Sequence, residues 1–388
     1  MKSAAGGFFF AEIFIMKIPF HIPFISGNEE KLLHEVIQSK QLSGNGKFTT
    51  SCHNFFTQHF KSHKTLLTSS CTDALEMSAL LAEIKEGDEV IMPSFTFVST
   101  ANPFVLRGAK IVFADSRKDS PNMDAEKIEE LITPKTKAIV VVHYAGISCD
   151  MEKILSVAAA HNLLVIEDAA QCIGSSYEGK PLGTFGNLGA ISFHDTKNIN
   201  CGEGGLLIIN TKSFIEKSEI IWEKGTNRAA FLRGEIKKYE WVDTGSSYLP
   251  SELTAAFLFA QTAELEKVTA KRRNLWNLYQ QNLSSLHGKI YLPVITEKCE
   301  HNGHIYFIVC DTSEERSKLM IHLKENGIET AFHYQALHRS KFFNNKHDGR
   351  HLPNADIYSD RLLRLPLYFD MKEEQVNYIS EQIKNYFS

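Results

Sequence analysis

Between about Lys64 and Asn210 the chain repeatedly sets a short, unbroken apolar run ahead of a segment with helical spacing, and this repeat limits the possible folds sharply. The runs are Glu89-Val-Ile-Met92, Lys110-Ile-Val-Phe-Ala114, Ala138-Ile-Val-Val-Val-His143, Leu163-Leu-Val-Ile166, Ala190-Ile-Ser-Phe193 and Leu206-Leu-Ile-Ile209. Continuous rather than alternating hydrophobicity marks strands buried on both faces. Such strands need helices above and below them, which predicts an α/β fold around a mainly parallel sheet. The segments Asp124–Ile132 and Met151–Ala158 are expected to be helices in the crossovers between strands. Ligands of such sheets bind outside the carboxyl ends of the strands.

After roughly residue 250 the pattern changes. A single long helix is expected from Ser251 to Leu286, followed by shorter strands such as His304-Ile-Tyr-Phe-Ile-Val309 and an amphipathic helix over 373–387. A chain of 388 residues, 43% hydrophobic, can bury one large core and one smaller one. The expected division is a large domain over residues 16–274 and a small α+β domain over 275–388. Residues 1–15 read as a non-structural extension. Their apolar run Phe8–Ile15 is broken by Glu12, is too short to span a membrane and lacks a small-residue cleavage site. Met16 opens what looks like a natural start.

A formal net charge of −4 gives no basic footprint for nucleic acid. Seven cysteines, odd in number and without a CxxC pair, argue against a disulfide framework or a structural zinc site and fit a reducing cytoplasm.

Three segments carry recognisable chemistry. In Ile191-Ser-Phe-His-Asp-Thr-Lys-Asn198, followed by Cys201-Gly-Glu-Gly-Gly205, Lys197 stands between two strands and before a glycine-rich turn; Val165-Ile-Glu-Asp-Ala-Ala-Gln171 puts Asp168 at a strand end. An amine that can hold an aldehyde and a carboxylate that can keep a pyridine nitrogen protonated are the pair that pyridoxal 5'-phosphate (PLP) chemistry needs. Leu67-Thr-Ser-Ser-Cys-Thr-Asp-Ala-Leu75 runs from a strand into a hydroxyl-rich helix start, where free backbone N–H groups and the positive dipole end suit a phosphate. Ser70 or Thr72 could instead simply cap that helix. Of Phe95 and Phe97, one is expected in the core; Phe97 is the choice for stacking on a ring. Gln171 is placed to reach the ring hydroxyl, and Ser192 to donate to the phosphate.

In order along the chain, Ser70–Leu75, Pro93–Thr100, Glu167–Gln171, Ser192–Asn198 and Gly202–Gly205 resemble the DegT-type nucleotide-sugar aminotransferases, which share the aspartate aminotransferase (PLP fold type I) architecture with a seven-stranded sheet. The resemblance runs from Met16 onward. It implies a covalent cofactor link at Lys197, Asp168 at the pyridine nitrogen, Gln171 at the ring oxygen, Phe97 stacked, and Cys71, Thr72 and Ser192 at the phosphate. It further implies glutamate as donor, a nucleotide-sugar as acceptor, and a homodimer with shared active sites. His143–Gly146, Glu223–Arg228 and Asp243–Leu249 carry a closer match to members that aminate dTDP-4-keto-6-deoxyglucose. Two departures stand out: Cys71 where the family usually has glycine, and Ser247 where it usually has an asparagine that reaches the neighbouring subunit's phosphate. Arg228, His333 and Tyr334 are expected to touch substrate, Arg228 as partner for a diphosphate or donor carboxylate. A dehydratase of this fold replaces the lysine by histidine, so Lys197 speaks against that activity. A non-catalytic binding protein is the other alternative.

Overall fold

The computed structural model describes residues 16–388; the expected extension over residues 1–15 lies outside them. Seven strands form the central sheet: β1 (Lys64–Thr68), β2 (Glu89–Pro93), β3 (Lys110–Ala114), β4 (Thr136–Val142), β5 (Leu164–Asp168), β6 (Leu188–Ser192) and β7 (Gly205–Ile209). Their spatial order is β1-β7-β6-β5-β4-β2-β3. The pairings from β3 across to β6 are parallel, and only β7 runs against its neighbours β6 and β1. The unbroken apolar runs are explained by burial on both faces. In β2, Val90 and Met92 enter one core cluster and Ile91 the other, while in β4 Val140 and Ile139 divide in the same way.

Register brings the chemical groups together. Val142 pairs with Asp168 and Asp168 with Ala190, so the carboxyl ends of β4, β5 and β6 lie side by side. Ser192, the last residue of β6, and Thr68, the last of β1, both pair with Gly205. The helix Cys71–Leu81 starts just beyond β1. A Cβ on Gly205 would lie 2.4 Å from the Cys71 nitrogen, so glycine is what allows β7 to run against that helix start.

Two expected helices are corrected. The crossover segment Asp124–Ile132 forms only two 3-10 turns, Ala125–Lys127 and Glu129–Leu131. Asp124 caps the Glu126 N–H, and Pro134 keeps the residue before it out of the helical region, which leaves too little length for α-helix. The long helix is two, Glu252–Thr262 and Leu265–Leu283. At the break the Thr262 hydroxyl donates to the Phe259 carbonyl at 2.7 Å, and Gln261 donates to the Phe24 carbonyl and Glu29, anchoring the helix end to the N-terminal segment.

A second sheet joins β8 (Ile290–Tyr291), β9 (Tyr306–Cys310) and β10 (Leu362–Leu365) in the order β8-β9-β10. Its apolar side packs with Leu265–Leu283, Ser313–Glu325 and Glu373–Tyr386 in a third cluster, which also takes in Ile18 from the start of the described chain. Arg272, fully buried, donates to the carbonyls of Gly303, His304 and Leu367 and so ties this sheet to the long helix.

Candidate active site

A cavity of about 480 Å³ opens where the carboxyl ends of the central strands meet the second sheet. Ten of the residues singled out in the sequence line it: Ser70, Cys71, Thr72, Phe97, Asp168, Gln171, Ser192, Lys197, His333 and Tyr334. Arg228 and Ser247 do not. Arg228 is ion-paired with the buried Glu223, and Ser247 bridges the backbone of the same Glu223, so both belong to a segment beside the cavity of their own chain.

Lys197 lies on the turn between β6 and β7, its backbone N–H bonded to the His194 carbonyl at 2.9 Å. Its amine has no ion-pair partner among the described residues. Burial pushes its pKa down, with Arg364 adding to the shift while Cys71 and Asp168 oppose it. A desolvated amine with a depressed pKa is one that can act as a nucleophile.

Asp168 ends β5 and is buried. Burial pushes its carboxyl pKa up, and two donors hold the carboxylate form against that: the Thr100 hydroxyl on Oδ2 at 2.7 Å and the Ala170 N–H on Oδ1 at 3.2 Å. Behind it stands a fully buried pair that sequence reading missed. Glu167 accepts from the N–H groups of Gly183, Phe185 and Gly186 at 2.8, 2.6 and 2.6 Å and is bonded to His143 Nε2 at 2.9 Å. The neighbouring residue in sequence is thereby bolted into the scaffold, and strand alternation turns Asp168 to the other side.

At the helix start the Ser70 hydroxyl accepts from the Asp73 N–H at 3.1 Å and is thus an N-cap, while Thr72 Oγ1 donates to Ser99 Oγ at 2.8 Å. Burial pushes the Cys71 thiol pKa well up, so it stays neutral beside the free N–H groups of the first turn. Ser192 Oγ accepts from the His194 N–H at 3.3 Å. Phe95 is buried in the core, whereas Phe97 is 53% exposed in the cavity, its ring centroid 5.6 Å from that of Tyr334. Gln171 accepts from the Ala145 N–H at 2.5 Å and donates to the Tyr334 hydroxyl at 3.1 Å.

Among the cavity residues without a role assigned from sequence are His304, Arg364 and Phe20. His304 is bonded through Nδ1 to Asn198 Oδ1 at 3.0 Å, and burial pushes its pKa well down. Arg364 enters from β10, and Phe20 from the N-terminal segment. His304 lies in His301–Tyr306, a segment that resembles the family's nucleotide-sugar-facing stretch, whereas no local motif surrounds Arg364 or Phe20, which distant parts of the chain bring here.

These residues fit PLP: an amine without an ion-pair partner, a buried carboxyl group that accepts from two donors, and a helix start with open N–H groups lie around one cavity. Among the described residues no helix is long and apolar enough to cross a membrane. The family model for the DegT/DnrJ/EryC1/StrS aminotransferase family matches residues 23–384. GDP-perosamine synthase of Escherichia coli O157:H7 is 32% identical over 96% of this chain and 99% of its own length. The aminotransferase TlmJ from Streptoalloteichus hindustanus superposes with a TM-score of 0.88 at 26% identity, covering 96% of this chain and 99% of TlmJ. The PLP form of a putative sugar aminotransferase from Streptococcus pneumoniae gives 0.87 at 25% identity, covering 96% of this chain and 98% of that one. With the fold, the cavity and these likenesses in agreement, the chain belongs to the DegT/DnrJ/EryC1/StrS aminotransferase family and is a PLP-dependent enzyme of fold type I.

Proposed function

We propose that this enzyme transfers an amino group from glutamate to the 4-keto group of dTDP-4-keto-6-deoxyglucose, giving dTDP-4-amino-4,6-dideoxygalactose. The observation that carries the transaminase reading is the placement of Lys197 and Asp168 in one cavity at the carboxyl ends of the sheet. The sugar rests on the resemblance of His143–Gly146, Glu223–Arg228 and Asp243–Leu249. The likeness to GDP-perosamine synthase supports a second reading, an acceptor carried on GDP.

In this reading Lys197 would hold the cofactor, and its amine, once released, would serve as the base and acid that moves the proton of the reacting carbon. Asp168, held by the Thr100 hydroxyl and the Ala170 N–H, would partner the pyridine nitrogen. The bound cofactor supplies a protonated ring that draws off the electrons left at that carbon. Phe97 would stack on the ring, Gln171 would contact the ring oxygen, and Cys71, Thr72, Ser192 and the helix N-terminus would hold the phosphate, with Ser70 shaping that turn as its cap. His333 and Tyr334 bound the substrate side. Ser247 acts across a homodimer interface, at the neighbouring subunit's phosphate site, and Arg228 is a partner for the diphosphate of the acceptor. Seven free cysteines suit a reducing cytoplasm.

The test is the cofactor's absorbance band. It should fade with L-glutamate and return with dTDP-4-keto-6-deoxyglucose. If it fades but returns only with a GDP-linked keto sugar, the second reading replaces the first. No fading with glutamate would refute glutamate as donor.

A further inference from the structure

The cavity wall carries a guanidinium that the cofactor chemistry does not employ. Arg364 lies in β10 with its backbone held on both sides: it pairs with Phe307 of β9, and it exchanges hydrogen bonds with Ala331, its N–H donating at 2.8 Å and its carbonyl accepting at 3.2 Å. Its Nη1 donates to His333 Nδ1 at 3.1 Å, and the guanidinium carbon sits 5.1 Å from the centre of the Phe20 ring. Among the described residues it has no carboxylate within ion-pairing distance, and its Nε is buried without a hydrogen-bond partner. Arginine presents five N–H donors in a planar fork. One is engaged here. The contrast with Arg272, whose fork is spent on three carbonyls, and with Arg228, which has Glu223, shows that this cation is kept in reserve.

A guanidinium only donates, so His333 Nδ1 must accept, which fixes the neutral ring with its proton on Nε2. Burial, with the charge of Arg364 added, pushes the His333 pKa down in the same sense. His333 therefore acts as a brace that orients the fork.

We propose that Arg364, braced by His333 and Phe20, is the anchor for a carboxylate of the amino donor. This rests on the aminotransferase reading above. The planar fork matches a carboxylate in a two-point contact. Arg364 stands near enough to Lys197 to be among the charges that depress its ammonium form. An amino acid donor carries a carboxylate on the very carbon that reacts there. In a nucleotide sugar the diphosphate sits at C1, across the hexose ring from the 4-keto carbon, so it projects away from the lysine. The acceptor thus brings no anion to this place. The sequence expectation that Arg228 meets the donor carboxylate is thereby moved to Arg364.

The test compares wild type with Arg364→Gln and Arg364→Lys, each loaded with PLP. Apparent dissociation constants for L-glutamate come from the fading of the cofactor band, and affinities for dTDP and GDP from calorimetry. Loss of a charged two-point contact should weaken glutamate by at least about tenfold in Arg364→Gln, with a smaller loss in Arg364→Lys, which keeps the charge without the fork. Binding of dTDP and GDP should change by less than about threefold. Should Arg364→Gln fail to take up PLP, the same comparison is read from Arg364→Lys. Unchanged glutamate binding, or an equal loss for a nucleoside diphosphate, would overturn the assignment. If wild type itself fails to react with glutamate while binding a nucleoside diphosphate, it is the donor reading that fails.

Discussion

Glu167→Gln removes no atom from the core, yet the geometry predicts a large loss of stability. The carboxylate accepts three backbone N–H groups and is bonded to His143 Nε2, all in full burial. A glutamine amide must place its NH2 on one side or the other. On the Oε1 side it meets the N–H groups of Phe185 and Gly186; on the Oε2 side it meets Gly183 and His143. His143 offers no full escape, because its Nδ1 already accepts the Cys149 N–H at 3.1 Å, so shifting a proton there relieves one conflict by creating another. Two buried donors are left facing donors in every arrangement. At about 1–3 kcal/mol for each unsatisfied buried group, the cost is about 4 kcal/mol. Urea unfolding of the cofactor-free proteins, followed by circular dichroism, gives the difference. A variant within about 1 kcal/mol of wild type would mean that this pair does not clamp the end of β5 and the reasoning fails.

Thr100→Val keeps shape but takes the hydroxyl from Asp168 Oδ2. That hydroxyl lowers the Asp168 pKa, so without it the pKa rises and the ionised form is lost at a higher pH as the solution is acidified. The acid limb of the glutamate half-reaction should move up by about one pH unit in single-turnover profiles, and an unmoved limb would refute the role of Thr100. Trp241 is 82% exposed and Leu232 57%, and both belong to the stretch around Ser247, for which a homodimer interface is proposed. Trp241→Glu should convert dimer to monomer in sedimentation velocity; an unchanged dimer would place the interface elsewhere.

The central sheet was readable because burial on both faces writes itself into the sequence as unbroken apolar runs, and all six runs are strands of the sheet. The turn chemistry around Lys197 and the acid at the end of β5 were readable for a related reason. Each is set by a few consecutive residues and a strand end. The failures are where a local pattern competes with something distant. Asp124–Ile132 has helical spacing, but a proline two residues on and an Asp cap shorten it to 3-10 turns. Ser251–Leu286 has continuous helical spacing, yet Gln261 is drawn to Phe24 and Glu29, more than 230 positions earlier, and the helix breaks.

The same distinction explains why a carboxylate anchor was sought at Arg228 and not at Arg364. In sequence, Arg228 stands in a polar, glycine-containing loop of the kind that carries function, while Arg364 is one charged residue inside Leu362-Leu-Arg-Leu365, which reads as a strand of a small core. Alternation along β10 sends Leu363 and Leu365 into the third cluster and leaves Arg364 on the opposite face. That face meets the cavity only because β10 pairs with β9 and Ala331, contacts separated by more than thirty positions. A strand period of two is therefore enough to say that Arg364 avoids the core. What it faces instead is decided by how the second sheet docks on the carboxyl ends of the first, and no stretch of consecutive residues encodes that.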